Sequence, residues 1–457
     1  MRLGARLILL AGAVVAVASP PSIAWAHGVG VRGDLPVPAS LAAAGAAVVL
    51  VASFAALAAL WPRPRLAAAA TGRPVPGGDR VVGWLAWPLR LLGVAAFIAA
   101  LGATLAGPGD PTQNFAAVAI YVGLWVGVLV ASAVLGDVWS ALSPFETAAA
   151  VGRLSRGHHP DAAAQPLSRA GVWPGVVLLA GFVWLELVHP TPGEPTVLLA
   201  AMALYTGVIA VGALWWGRGW IRSAEGFGVL FRLVAAMAPL HRNSGRLRLR
   251  WPLTGLTRVE ASPSTTALIL LVLGATTFDG VTRQPFWQAL AGEQTGWAAV
   301  PLATAGLVVT VAVVAGVYWL AMREGARITQ RRTGELAHAF AHSLVPILVA
   351  YAIAHYFSLL AFQGQRLLAL ASDPLDAGWN LLGTAHWSVD YALISPAVIA
   401  WVQVGAIVLG HVAGVVLAHD RAVALLPGPT ATRSQVPLLF AMVVYTIGGL
   451  VLLLSGG

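Results

Sequence analysis

"GELAHAFAHSLVPILVAYAIAHYFSLLAF", Gly334 to Phe362, is long and apolar enough to cross a bilayer, yet it carries His338, His342 and His355. A membrane span needs about 20 predominantly apolar residues. Hydrocarbon also requires every backbone N–H and C=O to be satisfied within the segment, which a helix does. Imidazoles at that depth are costly and mark function where they persist.

Segments of the same kind lie near 39–61, 83–106, 115–135, 171–188, 196–216, 265–281, 297–320, 336–360, 394–418 and 436–455. They predict an all-α, polytopic helical membrane protein with about ten spans. The chain is 58% hydrophobic and 10% charged, whereas soluble domains carry roughly 25% charged residues. The first 26 residues read as a cleavable signal peptide: Arg2 and Arg6, an apolar run from Leu7 to Val17, then Ala24-Trp25-Ala26 as a small-x-small cleavage site. Cleavage would make His27 the mature N-terminus; an uncleaved first helix is the alternative. Residues 27–457 then form a single transmembrane domain.

All 27 basic residues are Arg, and there is no Cys, which excludes disulfides, thiolate metal sites and Cys nucleophiles. Arg clusters follow the first, third, fifth, seventh and ninth spans, as at Arg63, Arg65, Arg73 and Arg80 or Arg323, Arg327, Arg331 and Arg332; the other side has Arg32, Arg283 and Arg366. The positive-inside rule places the clusters in the cytoplasm of a cell-membrane protein and both termini outside. The net charge of +9 is thereby explained by anionic lipid at the inner leaflet, without nucleic acid. "HRNSGRLRLRW" (His241–Trp251) is the densest such stretch.

Two connections share a pattern. "ETAAAVGRL" begins at Glu146 and "EGFGVLFRL" at Glu225, each after a span and a Trp-containing turn. They predict two related units of a span plus an interfacial amphipathic helix. The second lies in the largest cytoplasmic connection, 217–264. The longest outer loop is expected at 361–393.

Two groups of polar residues could carry chemistry. Glu335, His338 and His342, at i, i+3 and i+7, fall on one face of a regular helix. His411, in "GHVAG", lies at similar depth in the next span, about 12 Å from its cytoplasmic end at 1.5 Å per residue. Gly410 and Gly414 would let the two helices approach. His338, His342 and His411 are therefore candidate ligands for a transition metal, copper or zinc. Glu335 would act as an orienting or proton-exchanging neighbour, and two facing histidines would also suit a haem. The second group gathers at the outer ends of spans: Glu186 and His189, Asp279, His355, and His386 with Asp390. His27 would join it as an outer metal ligand through its amine and ring, able to receive metal from a soluble carrier. His189, His355 and His386 are read as supporting or proton-relay residues, and Glu186 or Asp279 as a catalytic base.

P-loop, H-E-x-x-H, G-x-S-x-G and H-x-H patterns are absent. This disfavours ATP-driven transport by this chain alone, zincin proteolysis and α/β-hydrolase chemistry. The start "AHGVGVRGDLPVP" (Ala26–Pro38), the all-Arg body and "HAFAHSLVPI" (His338–Ile347) with Ala354-His355 resemble actinobacterial polytopic membrane proteins labelled fenitrothion hydrolase. That resemblance implies hydrolysis of an organophosphate ester, although the paired-histidine motif of soluble phosphotriesterases is missing here. Three readings stand: an intramembrane histidine site that binds or moves a transition metal, a membrane-bound metal-dependent hydrolase using Glu186 or Asp279, and a proton-coupled permease.

Overall fold

The computed structural model describes residues 39–156, 170–243 and 245–454. The expected signal segment and His27 lie outside these residues. Helices dominate: α1 (Ala39–Leu60), α2 (Gly78–Ala106), α3 (Phe115–Leu135), α4 (Pro144–Arg156), α5 (Trp173–Leu187), α6 (Pro195–Ala224), α7 (Gly226–Ala235), α8 (Pro263–Thr282), α9 (Val300–Thr329), α10 (Thr333–Ser372), α11 (Pro396–Leu425) and α12 (Gly428–Leu454). Nine helices among the described residues are long and apolar enough to cross a bilayer. The chain is a multi-pass membrane protein. The tenth expected span is α5, whose 15 residues reach only about 22 Å at 1.5 Å per residue. Pro174 opens it, and the chain turns at His189-Pro190.

The Arg-bearing connections meet at one end of the bundle. The Arg65 amide donates to Asp420 at 2.6 Å. Arg248 donates to the carbonyls of Thr71 and Gly72, both at 2.8 Å. Arg421 reaches the Thr257 carbonyl at 3.0 Å and Arg331 that of Leu425 at 3.3 Å. Gly136, after α3, packs against the Leu240 carbonyl. Asp420 is 2% exposed and also accepts from the Trp61 indole at 3.0 Å and the Leu66 amide at 3.3 Å. It thereby fixes the exit of α1 against α11. Asp420→Ala leaves three donors unpaired and is expected to destabilise the bundle by about 2–3 kcal/mol, the scale of hydrogen bonds to a charged group. Thermal unfolding in detergent would show this as a lowered Tm; an unchanged Tm would refute the anchoring role.

The basic stretch 241–251 contributes to a small antiparallel sheet. Strands β1 (Arg73–Pro74), β2 (Leu240–Asn243) and β3 (Arg246–Leu249) lie in the order β1-β3-β2, with Leu240 opposite Leu249 and Arg73 opposite Leu249. Two of its four arginines do not reach outward. Arg248 is engaged as above, and Arg250 donates to the carbonyls of Ala235, Ala236 and Ala238 at 3.0–3.2 Å. Arg250 thus satisfies the carbonyls left open where α7 ends. Burial and the neighbouring Arg250, Arg248 and Arg258 lower the pKa of His241, so it is neutral at pH 7.

The paired pattern at Glu146 and Glu225 folds into a reciprocal clasp. Trp139 donates to Glu225 at 2.7 Å, and Arg218 to Glu146 at 2.8 Å. Each donor stands seven residues before the glutamate of its own unit. α3 ends at Gly136 and α6 kinks at Gly217, both with positive φ, where a side chain would be strained. The helix expected at the interface, α7, is instead enclosed: nine of its ten residues are buried. Phe227 packs against Phe182 with ring centroids 4.8 Å apart, and Phe231 against Trp139 at 5.8 Å. Aromatic burial of this size outweighs the preference of an amphipathic helix for an interface.

Among the candidate spans, α8 and α10 are the most enclosed. α10 packs closely on α11 because a Cβ on Gly410 would lie 2.2 Å from the Ala350 Cβ, and one on Gly414 would lie 2.8 Å from the Ser343 carbonyl. The expected contact between these two spans is therefore present. α10 also runs twelve residues past its expected end at 360. No Pro falls in 361–373, and the lone Gly364 is carried within the helix; the Asp373 carboxylate then gathers the amides of Ala377, Gly378 and Trp379. The loop expected over 361–393 is correspondingly shorter.

Candidate functional site

The polar residues that come together between spans are those of α8 and α10. Asp279 sits three residues before the end of α8, about 5 Å from it along the axis. His355 Nε2 lies 2.6 Å from Asp279 Oδ2, and Tyr356 donates to the same oxygen at 3.0 Å. Arg283, one turn further along α8, approaches Asp279 Oδ1 at 3.5 Å. The His355 side chain is 2% exposed and that of Asp279 16%. Arg283 is 47% exposed, so the group runs from the interior to the surface. Its surface end is opposite the Arg-rich end.

Two consecutive residues, His355 and Tyr356, project about 100° apart on a helix. Both nonetheless reach one carboxylate oxygen on α8. His355 stacks on Tyr351 at 6.1 Å and 10°, and meets Tyr356 edge-on at 4.7 Å. Rings on both sides hold the imidazole in one orientation.

Glu186, half-buried on α5, lies within electrostatic range of Asp279, Tyr356 and Tyr121. Trp125 of α3 has Glu186 and Tyr356 as polar neighbours. Its indole makes no hydrogen bond of good geometry among the described residues. Tyr121 and Trp125 belong to a π-helical stretch, Ala119–Val128. Such widened turns are rare, usually single, and frequent at functional sites. Sequence reasoning missed Tyr356, Trp125 and Tyr121. The one available signal was Tyr356 directly after His355; the span that holds Tyr121 and Trp125 carries no acid or histidine.

The inner histidines do not form one donor group. His338 Nδ1 lies 3.0 Å from Thr266 Oγ1, His342 Nδ1 3.0 Å from the Ala339 carbonyl, and His411 Nδ1 2.8 Å from the Ile407 carbonyl. Glu335 is exposed and 3.9 Å from Arg331, whereas His342 is 4% exposed. The shared face fails because a 3-10 turn, Ala341–Leu344, breaks the helical phase between His338 and His342. Among the described residues, no group of three or more His, Asp or Glu is arranged to hold a metal ion. His27 lies outside the described residues.

The remaining outer candidates stay apart. His189 accepts from the Thr191 amide at 3.2 Å and packs edge-on to Trp297 at 5.1 Å. His386 is exposed in the loop after α10. Asp390 shapes that loop by accepting from the Ala392 amide at 2.8 Å. Of the outer group, the structure unites Asp279 and His355, with Glu186 beside them. No family model, curated protein or solved structure matches this chain.

Proposed function

We propose that this chain is a proton-coupled permease of the cell membrane. Its proton-binding element would be Asp279 with His355 and Tyr356, and Glu186 would be the adjacent acceptor. The observation that carries the reading is the 2.6 Å Asp279–His355 pair joining α8 to α10. Among the ion pairs of the described residues, it joins two of the most enclosed spans. Ionisable pairs in such positions commonly serve as proton relays. Asp279 can hold or release a proton while His355, Tyr356 and Arg283 stabilise its ionised form. The Arg-rich end faces the cytoplasm by the positive-inside rule, so this element opens outward through Arg283. Arg242, whose guanidinium only reaches the Gly245 carbonyl at 3.4 Å, and Arg246 would meet anionic headgroups.

The test uses proteoliposomes loaded with a pH-sensitive dye and driven by a valinomycin potassium potential. Wild-type protein is expected to carry protons at least about tenfold faster than Asp279→Asn. Equal rates would exclude Asp279 as the proton site.

A hydrolase is the second reading, favoured by the placement of Glu186 beside Asp279. It requires membranes to cleave a chromogenic phosphotriester and Glu186→Gln to lose that turnover. The enclosure of His355 and the lack of a metal-ligand trio among the described residues rank it below the permease.

A further inference from the structure

The connection between α10 and α11, residues 373–395, turns polar groups inward and apolar ones outward. The Ser372 hydroxyl donates to the Asn380 side-chain oxygen at 3.0 Å and accepts from the Leu382 amide at 3.0 Å. The same Asn380 oxygen accepts from the Ala385 amide at 3.0 Å. Thr384 donates to the Leu368 carbonyl at 2.7 Å. Gln365 accepts from the Asp390 amide at 2.9 Å and donates to its carbonyl at 3.3 Å. These bonds hold the loop along the last turns of α10. Its outward surface carries Leu381, 67% exposed, and Leu382, 60% exposed, with Trp379, Trp387, Tyr391 and Leu393 exposed beside them. Exposed apolar side chains clustered in this way mark an interaction surface.

The depth of the loop identifies what covers it. Leu367 lies between the two residues that hold the loop, Gln365 and Leu368, and a Cβ on Gly123 of α3 would be 3.1 Å from it. Gly123 stands eight residues after Phe115, the outer end of α3, which is about two helical turns. Tyr391 packs on Phe362, further in again, with ring centroids 5.3 Å apart. The stretch from Thr384 to Tyr391 therefore lies beside α10 at the level of a membrane-crossing helix, not above it. The start of α11 continues the same surface with Val398 and Trp401, both exposed.

We propose that residues 373–395 form a lipid-seated elbow, which places Leu381, Leu382 and Trp387 among the glycerol carbonyls and first acyl methylenes of the outer leaflet. Amphipathic segments settle about 5–10 Å into this boundary. Trp and Tyr favour the same level. Backbone groups there must find partners within the protein, and the bonds to Ser372, Asn380, Gln365 and Asp373 supply them. Asp376 and His386 remain exposed beside the apolar residues, as suits headgroup depth rather than the bilayer centre. No Lys or Arg falls in 373–395, so the seat is apolar and takes zwitterionic phospholipid. This goes beyond the proton-coupled reading and does not depend on it, since none of these residues is Asp279, His355 or Glu186.

The chain has no Cys, so a single introduced thiol can be labelled selectively. Leu382→Cys and Trp387→Cys replace exposed side chains; each full-length variant carries a nitroxide and is reconstituted in phosphatidylcholine nanodiscs. Nitroxide relaxation is measured with oxygen, which concentrates in the bilayer, and with chromium oxalate, an anion that stays in water. Leu409→Cys, exposed along α11, is the lipid reference. Glu293→Cys, exposed in the connection between α8 and α9, is the water reference. The oxygen-to-chromium ratio at both loop sites is expected to exceed that at Glu293 by at least about tenfold, because an ion is excluded from an apolar medium. A ratio equal to that at Glu293 would place the loop in water and overturn the proposal. Weak relaxation by both reagents would mean that protein, such as a second copy of the chain, covers the loop, and would overturn it as well.

Discussion

Asp279→Ala is expected to lower stability by about 3–5 kcal/mol, the cost of leaving one partner of an enclosed ion pair alone. The carboxylate accepts from His355 at 2.6 Å and Tyr356 at 3.0 Å and faces Arg283 at 3.5 Å. Removing it strands three donors at once, in a setting where water reaches Arg283 but hardly reaches His355. Asp279→Asn separates stability from function. Its amide oxygen can still accept from His355, and its volume is unchanged, so the loss should stay near 1 kcal/mol. It cannot exchange a proton at any ordinary pH, so flux should fall as fully as in Asp279→Ala. Chemical denaturation in mixed micelles reads the stability of each variant. Equal destabilisation by both variants would mean that charge, not hydrogen bonding, holds α8 to α10.

Gly410→Val is the second large effect. A Cβ there would sit 2.2 Å from the Ala350 Cβ and 2.8 Å from the Pro346 carbonyl, whereas non-bonded carbons rest about 3.5–4.0 Å apart. The obstruction is backbone and a side chain with no torsion to turn, so α10 and α11 must separate. The expected cost is at least about 3 kcal/mol, the upper range for overpacking. Gly405→Val is the control on the same helix. A Cβ there meets nothing within 4 Å, and its effect should be within about 0.5 kcal/mol. A fall in Tm for Gly410→Val and none for Gly405→Val would establish the crossing. Equal Tm values would contradict it.

Much of the architecture was legible because the bilayer imposes a length and an apolar pattern. The long spans appear near their expected positions, and Gly410 with Gly414 announced the α10–α11 contact. What the pattern could not carry was pairing and local deviation. Asp279, His355 and Glu186 each stood out as polar residues in apolar helices, but nothing in the periodicity says which neighbouring helix His355 will face. Tyr356 and Trp125 were indistinguishable from the aromatic residues common at membrane interfaces. The inner histidines were aligned by assuming a regular helix, and the 3-10 turn at Ala341–Leu344 removed that alignment. α7 looked interfacial because Glu225 and Arg232 flank an apolar run. Its burial depends on distant partners, Arg250 capping its end and Phe182 receiving Phe227, which local sequence does not encode.

In the proposed permease, Asp279 takes up and releases a proton within the α8–α10 pair. The most direct measurement is the infrared difference spectrum of the reconstituted protein between neutral and acidic pH. The carboxylic-acid C=O stretch should contain a component that grows on acidification, is missing in Asp279→Asn and is shifted in Tyr356→Phe. Identical difference spectra for wild type and Asp279→Asn would show that Asp279 does not titrate and would contradict the proton-coupled account.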